Sequence, residues 1–124
     1  MTGIVADMVV PRVTEVMIDC KDRDAMVTFW TSLLDIEVRE VSGPFTFLSA
    51  QHEGGWGVAL QVVPDPTPGK NKLHLDGACD DLEGLEERVI ELGGSVVERH
   101  AIEGFEWRVF ADVEDNVFCF GRPI

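Results

Sequence analysis

The sequence predicts an α+β fold built from two βαβββ modules in one domain. Three observations carry this expectation. The order strand, helix, three strands occurs twice along the chain. The two halves lie on each other with a shift of 59 residues, so that Cys20 meets Cys79, Asp22 meets Asp81, Met26 meets Leu85, Leu33 meets Leu92 and Val38 meets Val97. One helix per four strands lets each half cover one face of a sheet, leaving the other face to be buried or used. The domain spans residues 13–122, with modules at about 13–66 and 73–122.

The elements follow in order. "VTEVMIDC", Val13 to Cys20, alternates and is rich in β-branched residues, which reads as a strand. Asp22 then caps a helix to about Leu34, with Ala25, Met26, Phe29, Trp30, Leu33 and Leu34 at helical spacing. Strands are expected at about 37–41, 45–50 and 57–63, with Gly43–Pro44 and Gly54–Gly55 as turns. The loop "PDPTPGKNK" cannot join a ladder at its prolines and connects the halves. In the second half, Leu73 to Cys79 reads as a strand. "DDLEGLEERVIELGG" reads as a helix with Leu82, Leu85, Val89 and Leu92 on one face, closed by Gly93–Gly94. Strands follow at about 95–100, 106–111 and 117–120, the last two joined by the turn "DVEDN". The helix run Glu83, Glu86, Glu87 and Glu91 reads as a solvated face.

Composition sets limits. The chain has 124 residues and a hydrophobic fraction of 45%, enough for one domain with a core. Its net charge is −13, with 10 basic and 23 acidic residues. No Lys/Arg cluster offers the counterion release that nucleic acid needs, so neither nucleic acid nor an anionic membrane is expected as a partner. No apolar run reaches the roughly 18–20 residues of a membrane helix, and the first residues do not read as a signal peptide. Three widely spaced cysteines, Cys20, Cys79 and Cys119, fit neither a disulfide framework nor a CxxC zinc pattern, which points to a reducing cytoplasm.

The run Leu73, His74, Leu75, Asp76 carries the site question. On a strand, the two leucines take one face and His74 and Asp76 the other. Asp76 then needs a donor or water, and Lys70, Lys72 or Arg108 are the candidate donors. His74 reads either as a ligand-binding group or as an imidazole bonded to a carboxylate such as Glu15 or Asp76. Trp30 belongs to the core stripe. Trp56 follows two glycines, in a turn that is exposed or folds over a cavity mouth. Phe45, Phe47 and Trp107 line an apolar pocket if they point inward, and fill it otherwise. His52 and His100 receive no role.

The stretches "FWTSLLDIEV", "PGKNKLHLD" and "FADVEDNVFCF" resemble the vicinal oxygen chelate superfamily, and in particular its glyoxalase-like and bleomycin-resistance-like branch. The resemblance covers about Val13 to Gly121. It implies a curved mixed sheet around a cavity and a homodimer. It also implies metal ligands on the first and fourth strand of each module, which fall at Glu15 and His74 and at Gln61 and Cys119. Glu15 and His74 share the 59-residue shift, whereas Gln61 and Cys119 differ by 58 and need a one-residue gap. Glu15, Gln61 and His74 are acceptable ligand types for a divalent ion such as zinc or nickel. Cys119 departs from the carboxylate the family usually places there, and its thiolate favours softer ions. The other reading of Cys119 is a small buried hydrophobe.

The function expected first is binding of a small apolar or aromatic molecule without a metal. Asp76, Trp107, Phe47 and Cys119 would contact it, with Glu15 and His74 as the candidate catalytic pair if the site is an enzyme. The alternative is a divalent-metal lyase or isomerase of the glyoxalase type acting on a small oxygenated substrate. An extradiol dioxygenase is a third reading, and its two-histidine, one-carboxylate set is absent.

Overall fold

Each half of the chain begins its helix on an aspartate. Asp22 accepts from the Ala25 N–H at 3.1 Å and Asp81 from the Gly84 N–H at 2.9 Å, each satisfying a donor the first turn leaves free. The computed structural model describes residues 14–69, 71 and 73–124. Its elements are β1 (Glu15–Cys20), α1 (Arg23–Leu34), β2 (Val38–Ser42), β3 (Phe45–Leu48) and β4 (Gly57–Val62), then β5 (Asp76–Ala78), α2 (Leu82–Glu91), β6 (Ser95–Ile102), β7 (Phe105–Ala111) and β8 (Val117–Pro123). Gly93, at φ +97°, takes the left-handed conformation that ends α2. No helix among the described residues is long and apolar enough to cross a membrane.

The strands form two four-stranded sheets with the same plan, β1-β4-β3-β2 and β5-β8-β7-β6. In each, the first strand pairs parallel with the last and the other pairings are antiparallel. Ile18 and Cys20 of β1 turn into the core, so Glu15, Met17 and Asp19 share the opposite, open face. In the second sheet Phe110 and Phe118 turn into the core, and Trp107, Val109 and Cys119 alternate away from it.

One core serves both modules. Phe29 and Trp30 of α1 pack on Phe118 of β8, with ring centroids at 6.0 and 4.9 Å, and Phe110 stacks behind at 5.5 Å. The two sheets therefore meet through their helix-covered sides. Residues of both open faces stay in contact with water, among them Met17, Ile102 and Phe105.

A polar clamp runs through this shared core. The Trp30 Nε1–H donates to Asp112 Oδ2 at 3.1 Å, and Asp112 is only 3% exposed. The same carboxylate accepts from the backbone N–H of Glu114 at 2.8 Å and of Asn116 at 2.9 Å. Glu114 then reaches the first module, where its carboxylate accepts from the N–H groups of Lys21 at 2.8 Å and Asp22 at 2.7 Å. The turn "DVEDN" thus joins β7 to β8 and also fastens the second module to the start of α1.

Two expectations for the second module change. Leu73 does not pack under a helix: it is 86% exposed, whereas Leu75 does pack against the core. The strand begins only at Asp76, so the alternation read from Leu73 onward has no ladder to enforce it. The acidic run on α2 also divides. Glu87 and Glu91 are exposed. Glu86 is held by Arg99 at 2.6 Å and by Arg108 at 2.6 Å, while Glu83 takes Arg122 at 2.7 Å. Arg108 lies on the helix side of β7 and is nearly buried, where leaving it without these carboxylates would be costly.

Asp112→Ala removes the acceptor of four donors, two of them backbone. It should cost about 2–4 kcal/mol in denaturant unfolding, and a loss below about 0.5 kcal/mol would show that the clamp is dispensable. A pH dependence also follows from Glu86. The hydrogen bond from Arg99, reinforced by Arg108, pulls its carboxyl down to about 2 from an ordinary value of 4.5. Because the folded value is depressed, this contribution is present above about pH 4.5 and lost as pH falls toward 2. Unfolding curves of Glu86→Gln should be flatter than those of the unaltered protein across that window, and equal slopes would contradict the assignment.

Candidate functional site on the open face of the second sheet

The loop before β5 is held by one side chain. Asn71 Oδ1 accepts from the Val117 N–H at 2.8 Å, and Asn71 Nδ2 donates to the Val117 carbonyl at 3.3 Å. The amide satisfies the first rung of β8 as a strand would, which explains why β5 is short. The ladder then starts two residues later, where the Cys119 N–H donates to the Leu75 carbonyl at 2.9 Å.

This start places three reactive side chains together. Asp76 pairs with Cys119 across the parallel strands, so the two share the open face. His74 Nδ1 lies 2.7 Å from Asp76 Oδ1. Donor atoms of His74, Asp76 and Cys119 all lie within 4.8 Å of one another. The donor for Asp76 is therefore His74. Arg108 is engaged beneath α2, and Lys70 and Lys72 lie outside the described residues. His74 is about one-third exposed and Asp76 about two-thirds, so the group faces solvent.

An aromatic row continues the same face. Trp107 stacks on His100 at 4.9 Å with planes 23° apart, and on Phe105 at 6.1 Å with planes 29° apart. Gly121 pairs with Trp107 in the neighbouring strand, and a Cβ there would come within 2.5 Å of the Phe105 ring. The bare glycine lets the rings lie over β8. On the other, core-facing side a cleft of about 190 Å³ lies between the modules, lined by Leu75, Asp76 and Phe120 of the second and by Trp30, Leu34 and the exposed Trp56 of the first.

Glu15, Gln61 and Phe47 are not in this group. They lie on the first sheet, Glu15 in β1, Gln61 in β4 and Phe47 in β3. The Glu15 carboxylate pairs with Arg39 at 3.2 Å, and its other oxygen, Oε2, is buried without a partner. That oxygen sits where a side chain at Gly57 would be, 2.4 Å from the position of a Cβ. Arg39 also covers the Phe47 ring, 5.5 Å from its centroid. Glu15 and Arg39 line a cleft of about 490 Å³ with His52 and Glu53, and it shares Ser49, His52, Gly55 and Gly57 with the cleft that reaches Asp76. Of the three residues expected on one cavity, Glu15 and Gln61 lie on the first sheet and His74 precedes the first strand of the second, and the close group around His74 is made by Asp76 and Cys119.

The register explains the mismatch at Gln61. Asp22 and Asp81 keep the 59-residue correspondence at the helix caps, and the same step carries Asp76 onto Met17. Met17 pairs with Ala59 as Asp76 pairs with Cys119. The counterpart of Cys119 is therefore Ala59, and Gln61 lies one pleat further along, opposite Asp19. Sequence reasoning also missed His100, because nothing local marks a residue that meets Trp107 across a hairpin. Asn71 was inside a quoted motif, yet only the fold shows which backbone its amide meets.

The comparisons agree with this architecture. Residues 15–121 match the Glyoxalase-like domain family. No curated protein matches the chain. Among solved structures, a glyoxalase/bleomycin resistance protein/dioxygenase family enzyme from Burkholderia phytofirmans PsJN is similar at 20% identity and TM-score 0.76, covering 90% of this chain and 98% of its own. A glyoxalase family protein from Bacillus cereus is similar at 13% identity and TM-score 0.73, covering 98% and 99%. The fosfomycin resistance protein FosX from Listeria monocytogenes, complexed with Mn(II) and sulfate, is similar at 15% identity and TM-score 0.74, covering 91% and 90%. With its family match spanning both modules and the shared fold of these structures, the chain belongs to the Glyoxalase-like domain family.

Proposed function

We propose that the protein binds a small, flat apolar or aromatic molecule on the open face of the second sheet. The observation that carries this is the stacked row of His100, Trp107 and Phe105, whose last ring lies over the bare Gly121. Such a row offers ring faces at low conformational cost, and His74, Asp76 and Cys119 supply a few polar atoms beside it. The ligand would lie against Trp107 with its polar end toward His74.

The metal-dependent lyase reading has less support. Of the ligand set that the family resemblance implies, Glu15 is already paired with Arg39, and the close group around His74 is made by Asp76 and Cys119. In the second sheet Cys119 brings a thiol, a poor match for a hard ion such as the Mn(II) in the FosX structure. His74 and Asp76 are bonded to each other.

A homodimer accompanies this reading. Apolar side chains of the first sheet, away from the aromatic row, are exposed, Met17 at 40%, Val38 at 43% and Val41 at 55%, and a second copy would cover them. Light scattering at micromolar concentration should give twice the chain mass, and a monomer would remove the dimer from the account.

Calorimetry with 2-naphthol as a flat aromatic probe tests the site. Trp107→Ala should weaken binding by about tenfold or more, since it removes a large ring contact worth on the order of a few kcal/mol. Unchanged affinity in that variant would move the ligand away from the aromatic row.

A further inference from the structure

We infer that Cys119, His74 and Asp76 form a nucleophilic thiol centre, directed at flat conjugated electrophiles of the α,β-unsaturated carbonyl class. This deepens the aromatic-row reading, on which the choice of electrophile rests. The thiol chemistry itself rests on the three side chains alone.

The geometry assigns the roles. An ionised Asp76 only accepts, so the 2.7 Å contact puts the proton on His74 Nδ1 and leaves Nε2 as the acceptor. A carboxylate that fixes the tautomer, an imidazole that accepts, and a nucleophile beside it follow the arrangement by which a histidine activates a hydroxyl or thiol. Here one ring nitrogen of His74, a carboxylate oxygen of Asp76 and the Cys119 sulfur lie within 4.8 Å of one another, so a small turn of the imidazole suffices to bring Nε2 to the sulfur. The other cysteines differ. Cys20 is fully buried, and that burial, with Glu114 nearby, pushes its thiol up to about 11, the condition of an inert thiol. Cys79 is half-buried, as Cys119 is, and differs in place: it lies outside the His74–Asp76 group, beside the Asp81 carbonyl to which its thiol donates at 3.6 Å.

The reaction balances without a further reagent. The Cys119 thiol proton passes to His74 Nε2, and the sulfur electron pair forms a bond to the β-carbon of the electrophile. The carbon–carbon π pair moves toward the carbonyl as an enolate, and the proton on His74 returns to the α-carbon. The sum is addition of S–H across the double bond. Asp76 holds the imidazole in place and stabilises its charged form. Trp107 and Phe105 position a conjugated ring by stacking.

The test follows adduct formation at each cysteine by peptide mass spectrometry, on full-length protein treated with a chelator. Two probes are used, iodoacetamide and cinnamaldehyde. With iodoacetamide, Cys119 should react at least about tenfold faster than Cys79, and His74→Ala should remove that advantage while leaving the Cys79 rate unchanged. The Cys79 rate and circular dichroism report whether the variant is folded. If His74→Ala is misfolded, Asp76→Asn takes its place, with an expected loss of several-fold. With cinnamaldehyde, Trp107→Ala should slow the Cys119 reaction by a clearly larger factor than it slows the iodoacetamide reaction. A Cys119 that reacts no faster than Cys79, or one indifferent to His74 and Asp76, overturns the thiol centre. So does stoichiometric zinc that survives the chelator and protects Cys119. If Trp107→Ala changes neither probe, the aromatic-row reading fails while the thiol centre stands.

Discussion

The hydrogen bond from Trp30 to Asp112 is the contact on which the rest of the molecule depends. It crosses from the helix of the first module to the last hairpin of the second, inside a core that both modules share. A buried carboxylate is tolerable only when its oxygens are occupied, and this one is filled by the indole N–H and two backbone N–H groups. Those bonds shape the turn that carries Glu114 to the start of α1. They also set where β8 begins, because Asn116 immediately precedes Val117 and Val117 is the residue Asn71 clasps. A chain of short contacts thus runs from the core to the loop that presents His74.

Joining the modules by their helix-covered sides has a consequence for function. Neither open face is used to hold the monomer together. Each keeps half-exposed side chains at the positions where alternation points away from the core. The two faces differ in chemistry although they share a plan. The first carries an ion pair, Glu15 with Arg39, over stacked phenylalanines. The second carries a histidine, a carboxylate and a thiol beside a stacked indole. Where the second has Asp76 and Cys119, the first has Met17 and Ala59. The repeated plan is the scaffold, and different residues at a few open-face positions give the two faces different chemistry.

Much of the fold was legible in the sequence, for identifiable reasons. Asp22 and Asp81 mark both helix starts because a side-chain oxygen there meets a specific local need. The apolar spacing of Met26, Phe29, Trp30 and Leu33 identifies the buried face of α1, since a helix of that length must bury it. The repeat gives two equivalent sheets. The site was legible only in part. His74 and Asp76 were read onto one face, and they are in fact bonded to each other. Leu73 misled because a strand pattern was extended past the point where Asn71 takes the rung. Gln61 was matched to Cys119 by a gap that the sequence could not place, and the strand pairing shows that the counterpart of Cys119 is Ala59, one pleat away on the same face. His100 was invisible because its partner is set by a hairpin register.

The central claim is that the open face of the second sheet, and not the Glu15–Arg39 cleft of the first, is where a ligand is held. A crystal structure of the protein soaked with 2-naphthol tests this most directly. The account predicts the naphthol ring within stacking distance of Trp107, about 4.5–7 Å between centroids, with its hydroxyl toward His74 or Asp76. A ring found in the cleft between Glu15, Arg39 and His52, with the Trp107 face empty, would contradict it.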